Sequence, residues 1–496
     1  MKKVLRKVAR QKKSSAASSS SHVSSSSTSS SAMSDLEDVG DVPESLRLLP
    51  YYHGLLPKRD VELLLKLDGD YLLRTSETTD QTAERLVGVG RWLSVRWKVA
   101  GSGGAKRHHV GLKQASDNRW SADSGGRYFS SPSDLVEFYE KTGRPLSDKL
   151  PFRLKYAVAR QKWQLSPDRL LLDDKLGEGA FGQVFKGRLL LVGGGGQAPR
   201  SPGKKAEEQR FRNVAVKCLR AGLAARKEQR EQFAAEHRIL RKISHKNVIR
   251  VLGLSVDREP LMLVMELAVN GSLLAYLRNV ADELGPDHMC QFSIEAAQGL
   301  RYLEKKKVVH RDVAARNCLL DKDLQVKIAD FGLSLRREGV GRLSEREPEK
   351  LPIKWLAPET LRNRVEFNHK TDVWAFGVLL WEVFSKGEEP YKGMTAAQTR
   401  QCVLGDYILE RPAAATDPVR ALMESCWAVK AKERPTFLQI KLRLRKCLAE
   451  VQAKQKKTKK EEAQQQLPRS AKPSAKPSSS GLSNASSSSG GSTYYM

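Results

Sequence analysis

The sequence predicts a multidomain chain: a small α+β domain, then a larger α+β region, set between disordered basic, serine-rich termini. Three observations carry this expectation. Between Tyr51 and Leu154, strand-like runs at 71–74 and 92–95 lie between helical patterns at 61–67 and 133–139, and strands flanked by a helix on each side make a compact α+β unit. From Leu170 to about Glu450 the chain is β-rich first and helical later, long enough for a core of its own. Residues 1–45 hold a basic head, a serine run and the acidic patch 35–41, a composition that cannot bury enough apolar surface to offset its ordering entropy.

The boundaries follow from shifts in composition. The small domain occupies 51–154, a connector with Trp163 spans 155–168, the long region runs 169–450, and a basic serine-rich tail fills 451–496. Glycines at 193–196 and the basic, proline-containing stretch up to Arg212 read as a flexible insertion between strands. A helix starting near Thr436 is expected to run on into 454–462.

Net charge is +29, which first suggests nucleic acid. Part of the excess sits in the two ends, and no nucleic-acid motif accompanies it, so peripheral contact with an anionic membrane or acidic partners is the preferred reading and no specific nucleic acid is expected. Six scattered cysteines without a C-x-x-C pair favour reduced thiols in the cytoplasm. Lys2 and the lack of an apolar export core argue against a myristoyl anchor or a secretory signal; the basic head is also compatible with nuclear import.

Phosphate chemistry appears in the long region. Gly177, Gly179 and Gly182, preceded by Leu176 and followed by Val184, form a glycine-rich strand–turn–strand whose backbone can close over phosphates. A strand follows it rather than a helix, which argues against a dinucleotide fold. Lys217 then stands on the apolar strand 214–217, and the helical segment 233–240 offers Glu236 as its ion-pair partner. Downstream come His310-Arg-Asp-Val-Ala-Ala-Arg-Asn317 and, in a loop after the strand 325–328, Asp330-Phe-Gly332.

This ordered set resembles the protein kinases, over Leu170 to about Leu448, and implies a bilobal α+β protein-kinase fold. The resemblance implies ATP with Mg²⁺ (or Mn²⁺) as cofactors. It makes Asp312 the acceptor of the substrate hydroxyl proton, Asn317 and Asp330 the metal ligands, and Lys217, held by Glu236, the partner of the α- and β-phosphates. Met265, just before Glu266, resembles the gatekeeper of the nucleotide pocket, while Glu359 with Arg434 and Asp372 resemble structural braces. Ala314 and Arg316 stand where tyrosine kinases differ from serine/threonine kinases, and Leu351-Pro-Ile-Lys-Trp-Leu-Ala-Pro-Glu359 resembles the tyrosine-kinase loop. Tyrosine-containing protein substrates are therefore expected; the alternative is a pseudokinase adaptor.

Upstream, Tyr51-Tyr-His-Gly54 and Gly69-Asp-Tyr-Leu-Leu-Arg-Thr-Ser-Glu77 resemble an SH2 domain. This implies phosphotyrosine proteins as partners, with Arg74 at the base of the pocket and Ser76 and His108 beside it. Lys58 stands where such domains commonly carry arginine. An SH2 domain, a short connector and a kinase, in that order, are most similar to the Fer/Fes group of non-receptor tyrosine kinases, in a short form without the membrane-bending N-terminal region.

One departure concerns control. Residues 333–356 contain no tyrosine, so Arg311 has no phosphotyrosine to meet in that segment. Glu345, Glu347 or phosphorylated Ser344 are expected to supply the charge instead, the alternative being a solvated segment ordered by no particular partner. Tyr494 and Tyr495 are further candidate phosphorylation sites.

Overall fold

The computed structural model describes residues 42–79, 86–98, 104–122, 127–179, 182–191, 211–219, 227–336, 351–363, 367–405 and 407–465. The expected disorder of residues 1–45 fails at its end, where Val42 and Leu46 pack into the core of the first unit and Glu44–Arg47 form a short helix; the rest of the disordered ends, the interior of the insertion and Ser344, Glu345 and Glu347 lie outside the described residues.

The first unit is a five-stranded sheet, β1 (Asp70–Thr79), β2 (Leu86–Lys98), β3 (Ala105–Gln114), β4 (Trp120–Ser121) and β5 (Tyr156–Ala157), ordered β4-β3-β2-β1-β5. Helix α1 (Lys58–Leu64) stands beside one face and α2 (Pro132–Thr142) packs on the other. On the α2 face Tyr71, Leu73, Leu93 and Val95 meet Leu135, Val136 and Tyr139 in a closed core. Ser131 starts α2 by accepting the Asp134 N–H at 3.1 Å, with Pro132 at the first helical position, and Gly143 ends it at φ 62°.

Two expected element bounds are corrected by the structure. Helix α1 begins and ends three residues earlier than 61–67, because Asp70 Oδ2 takes the Lys66 and Leu67 N–H groups at 2.6 Å each and turns the chain. The strands are longer than 71–74 and 92–95, and the polar sequence of β3 had given no strand signal. The connector is anchored on both of its neighbours. Tyr156 and Ala157 pair with Asp70 and Tyr71, and Leu165 N–H donates to Leu254 O at 2.9 Å while Leu254 N–H donates to Trp163 O at 2.8 Å.

The second region has two lobes, as expected. Its sheet-rich lobe comprises β6 (Leu170–Gly179), β7 (Gly182–Leu190), β8 (Phe211–Leu219), β9 (Val251–Ser255) and β10 (Met262–Glu266), ordered β6-β7-β8-β10-β9, with α3 (Lys227–Leu240) alongside. The helical lobe contains α4 (Leu273–Asn279), α5 (Pro286–Lys305), α6 (Pro358–Asn363), α7 (His369–Phe384), α8 (Ala396–Leu404), α9 (Asp417–Cys426) and α10 (Phe437–Gln465). Between α5 and α6 run the short strands β11 (Val308–Val309), β12 (Cys318–Leu320), β13 (Val326–Ile328) and β14 (Leu335–Arg336). Helix α7 is apolar nearly all round and buried, as expected of a central core helix, and an Asn368–Thr371 capping box starts it. Helix α10 bears out the expected continuation past Lys454.

The first unit and the sheet-rich lobe share a core. Leu55, Leu56, Val61, Leu65 and Leu72 pack with Leu219, Phe233, Leu254, Val256, Leu261 and Leu263. Each fully buried leucine contributes about 2 kcal/mol. At the seam Gly54 adopts φ +60°, Leu55 N–H donates to Val256 O at 2.7 Å, and a Cβ on Gly54 would lie 2.2 Å from that carbonyl. Only glycine fits there.

Candidate active site and the arginine pocket

Lys217 lies on β8, where Val214, Val216 and Cys218 fill the core below the sheet. Its cross-strand neighbours are Val184 on β7 and Leu263 on β10, and Val184 in turn pairs with Gly177, so the glycine-rich hairpin and the lysine form one row. Gly182 closes the hairpin opposite Gly179; a Cβ there would lie 2.0 Å from Cys218 O. Leu176 is exposed at the hairpin edge.

Helix α3 delivers Glu236, whose Oε2 and Oε1 accept from Lys217 Nζ at 2.9 and 3.2 Å; Asp330 Oδ1 lies 3.4 Å from the same ammonium. Burial works against the lysine's charge, but Glu236 and Asp330 outweigh it and hold its pKa above the ordinary value. Gln232, a turn before Glu236, donates to Gly332 O at 2.7 Å, so α3 also touches the loop that bears Asp330.

The loop after β11 is braced from beneath. Asp372 on α7 accepts the N–H groups of His310 and Arg311 at 2.8 and 2.9 Å, stabilising Arg311 at φ 73°. His310 Nε2 bonds Ala329 O at 3.1 Å and its Nδ1 accepts Asp312 N–H at 3.3 Å, one tautomer serving both. Asn317 Nδ2 donates to Asp312 O at 2.8 Å and Oδ2 at 2.7 Å, which leaves the Asn317 side-chain Oδ1 for another partner. Arg316 pairs with the other Asp312 oxygen and lies 4.2 Å above the Trp355 ring. Asp330 is half exposed at φ 59°, and although desolvation opposes it, Lys217 and the Gly332 N–H pull its carboxyl below the ordinary value.

Met265 packs between the shared core and the helical lobe, on the strand face that carries Leu263 opposite Lys217. Glu266 is anchored by its neighbours: its Oε1 takes Arg250 N–H at 2.9 Å and Lys327 at 3.1 Å, and its own N–H donates to Arg250 O at 2.9 Å. Glu359 and Arg434 form a two-pronged pair at 2.6 and 2.8 Å. Arg311 lies 3.8 Å over the Phe367 ring and donates to Leu333 O at 3.1 Å.

Glu382 was not singled out from the sequence. It is buried on α7, and one oxygen accepts both Ala315 N–H at 2.9 Å and Trp355 Nε1–H at 3.1 Å. A lone carboxylate inside the apolar run 373–384 was its only signal.

In the first unit, Arg74 is buried on β1, with Ser76 two residues on along the same face. Its Nε donates to Ser94 Oγ at 3.3 Å, Ser94 Oγ bonds His109 Nδ1 at 2.9 Å, and His109 Nε2 faces Glu62 at 3.4 Å. Trp92 lies beneath the guanidinium at 5.7 Å. Among the described residues no carboxylate forms an ion pair with Arg74, and burial lowers its pKa to about 10 against the opposing pull of Glu62. Burial, then Arg74, bring His109 down to about 4; exposed Lys58 on α1 adds to this.

His108 is therefore a correction. It pairs with Val95 on the α2 side of the sheet and stacks on Phe152 at 4.3 Å, whereas His109, opposite Ser94, shares the face of Arg74. Successive strand residues point to opposite faces, so a shift of one residue separates the two histidines completely.

Residues 170–444 match the family model described as protein tyrosine and serine/threonine kinase. The chain is 36% identical over 406 residues to Fer-related kinase 1 of Caenorhabditis elegans, covering 82% of this chain and 95% of that protein. It is 34% identical over 399 residues to the tyrosine-protein kinase transforming protein Fps of avian sarcoma virus (strain PRCII), covering 80% and 68% respectively. Human tyrosine-protein kinase Fer is 34% identical over 414 residues, which are 83% of this chain and 45% of that protein.

Proposed function

The chain belongs to the protein tyrosine and serine/threonine kinase family, its catalytic region homologous to the Fer and Fps kinases, and on that premise we propose how its residues carry out phosphoryl transfer from ATP to protein tyrosine. The carrying observation is the Asp312 cluster. Asn317 fixes one carboxylate oxygen and Arg316 holds the other, so the base is oriented before substrate arrives. The acceptor hydroxyl attacks the γ-phosphorus, the bond to the β–γ bridging oxygen breaks, ADP leaves, and Asp312 takes the phenolic proton.

Lys217 holds the α- and β-phosphates, its ammonium kept charged and aimed by Glu236. Asp330 and the free side-chain Oδ1 of Asn317 are hard oxygen donors, two in number, which suits Mg²⁺ or Mn²⁺ carried largely by phosphate oxygens. When bound, such an ion neutralises phosphate charge. Arg316, lying over the Trp355 ring, forms a flat wall beside the acceptor tyrosine.

The first unit is read as an SH2 domain. The chain from Arg74 through Ser94 and His109 to Glu62 satisfies the arginine through Nε alone, leaving both Nη groups to fork onto a phosphotyrosine. The matches to Fer and Fps extend well beyond the kinase model, which supports that reading. Its grip on α3, with that of the connector, is the proposed control: Asp60 pairs with Arg238 and the connector's Trp163 lies tilted against His237 at 4.6 Å, while Glu236 on the same helix faces Lys217. The scattered cysteines without a C-x-x-C pair support a cytoplasmic reading, and the basic ends support peripheral contact with an anionic membrane, with nuclear import as the alternative. Assays on tyrosine- and serine-containing peptide libraries, with Lys217→Met as control, test the catalytic reading. Transfer to serine alone, or none at all, overturns it.

A further inference from the structure

Helix α5 buries one side in the helical lobe and turns Gln298, Arg301, Tyr302 and Lys305 outward, a stripe at helical spacing. Together with His245 from the loop after α3 and Lys441 from α10, these residues line a recess of about 140 Å³. Neither the catalytic groups nor the Arg74 pocket contributes to it.

The recess is a collection of donors without a matching acid. Among the described residues, Arg301, Lys305, Lys441 and neighbouring Lys246 and Arg445 form no ion pair. The nearby carboxylates are committed elsewhere or drawn away. Glu295 takes Val326 N–H at 2.7 Å and Gln291 at 2.6 Å, and Glu304 feels Lys370 before Arg301. Burial and then Arg445, Arg301 and Lys246 lower the pKa of the Lys441 ammonium, the effect of crowded like charge. Neutral donors complete the lining. His245 Nδ1 accepts Asn247 N–H at 3.1 Å, which leaves Nε2–H to donate, and Tyr302 Oη accepts Ser244 N–H at 3.1 Å, which leaves its own proton.

We propose that this recess is a binding site for a small, multiply phosphorylated anion of the inositol polyphosphate type, either free or as a phosphoinositide headgroup. A recess of this volume holds a phosphate group rather than a peptide segment. Lys246 and Arg445, further cations close enough to act on Lys441, call for several phosphates on one compact frame. Tyr302 is already covered by His245, with ring centroids 4.9 Å apart, and by Lys306 at 5.6 Å, so it offers no stacking platform to a nucleic-acid base.

The test uses the full chain and inositol hexakisphosphate, followed by calorimetry at fixed ionic strength. Binding is expected for the native chain, for Arg74→Ala, which removes the other anion pocket, and for Lys432→Glu, which changes net charge outside the recess. Lys305→Glu and Lys441→Glu, each with an unaltered melting temperature, should each weaken binding about tenfold or more, the equivalent of one lost charge-assisted hydrogen bond. Flotation with phosphatidylinositol bisphosphate vesicles, but not phosphatidylserine vesicles of equal charge, identifies the headgroup as the source; binding of the soluble anion alone identifies a free ligand. The proposal is overturned if inositol hexakisphosphate binds no better than sulfate, or if both recess variants bind like the native chain. It is also overturned if a phosphotyrosyl peptide or an oligonucleotide displaces the anion from the recess at lower concentration.

Discussion

Trp355 donates its indole N–H to Glu382 Oε2 at 3.1 Å. The same oxygen accepts the N–H of Ala315, so a single carboxylate beneath the active site ties the loop beside the acceptor to the loop that bears Asp312. Burial pushes the Glu382 pKa up to about 7, with Asp312 adding to the rise and the two hydrogen bonds opposing it.

The sign of the resulting pH dependence is fixed. The folded-state value lies above the ordinary 4.5, so the stability contributed by neutral Glu382 is complete below about pH 4.5 and is lost as pH rises through about 7. Relative to Glu382→Gln, the native chain should lose about 3 kcal/mol of unfolding free energy across that window. Urea unfolding of both proteins at pH 5 and pH 8 measures it. Parallel losses in the two would show that Glu382 does not titrate there.

Arg316 couples that brace to catalysis through its planar face. Arg316→Lys keeps the charge near Asp312 but loses the stack on Trp355. Its kcat/KM for a tyrosine peptide should fall about tenfold, with KM for ATP unchanged. Steady-state kinetics with each substrate varied in turn decides, and a fall seen only in ATP affinity would rule out the wall beside the acceptor.

Much of this site was legible because its groups sit in ordered motifs at fixed spacing, and the strand–turn–strand context excluded the competing glycine motif. Lys217, Glu236, Asp312, Asn317 and Asp330 all converge. Glu382 was hidden because its partners, Ala315 N–H and Trp355, come together only through tertiary packing. The histidine was misplaced for a different reason. His108 and His109 are adjacent and chemically identical, so only the register of β3 against β2 assigns them to faces. The polar composition of β3 gives no alternation from which to read that register.

The histidine correction has its own test. Arg74→Lys should reduce affinity for a phosphotyrosyl peptide at least about tenfold, because a lysine cannot fork onto the phosphate. His109→Ala should weaken binding by leaving Ser94 and Glu62 without their bridge. His108→Ala should leave affinity intact and lower the melting temperature, since its ring packs on Phe152. Calorimetry on the three variants separates them. With a pKa near 4, His109 stays neutral at pH 7, so weaker binding between pH 7 and 5 should track protonation of the phosphate, whose second pKa is about 6.

Control through α3 gives the last prediction. Helix α1 carries Lys58 and Glu62 at the arginine pocket and, between them, Asp60, whose carboxylate is buried against Arg238 on α3. Arg238 stands two residues from Glu236, so it points to a different side of the helix and anchors it away from Lys217. Removing one partner of such a buried pair costs about 3 kcal/mol, because the other charge is left uncompensated. Asp60→Ala should therefore lower kcat about tenfold, with the peptide KM little changed, as α3 loses its outer support and Glu236 leaves Lys217 more often. Arg238→Met should act alike, and the double variant should be no worse than the poorer single one. Additive losses in the double-mutant cycle, or a full kcat in Asp60→Ala despite a lowered melting temperature, would show that the first unit steadies the kinase without controlling it.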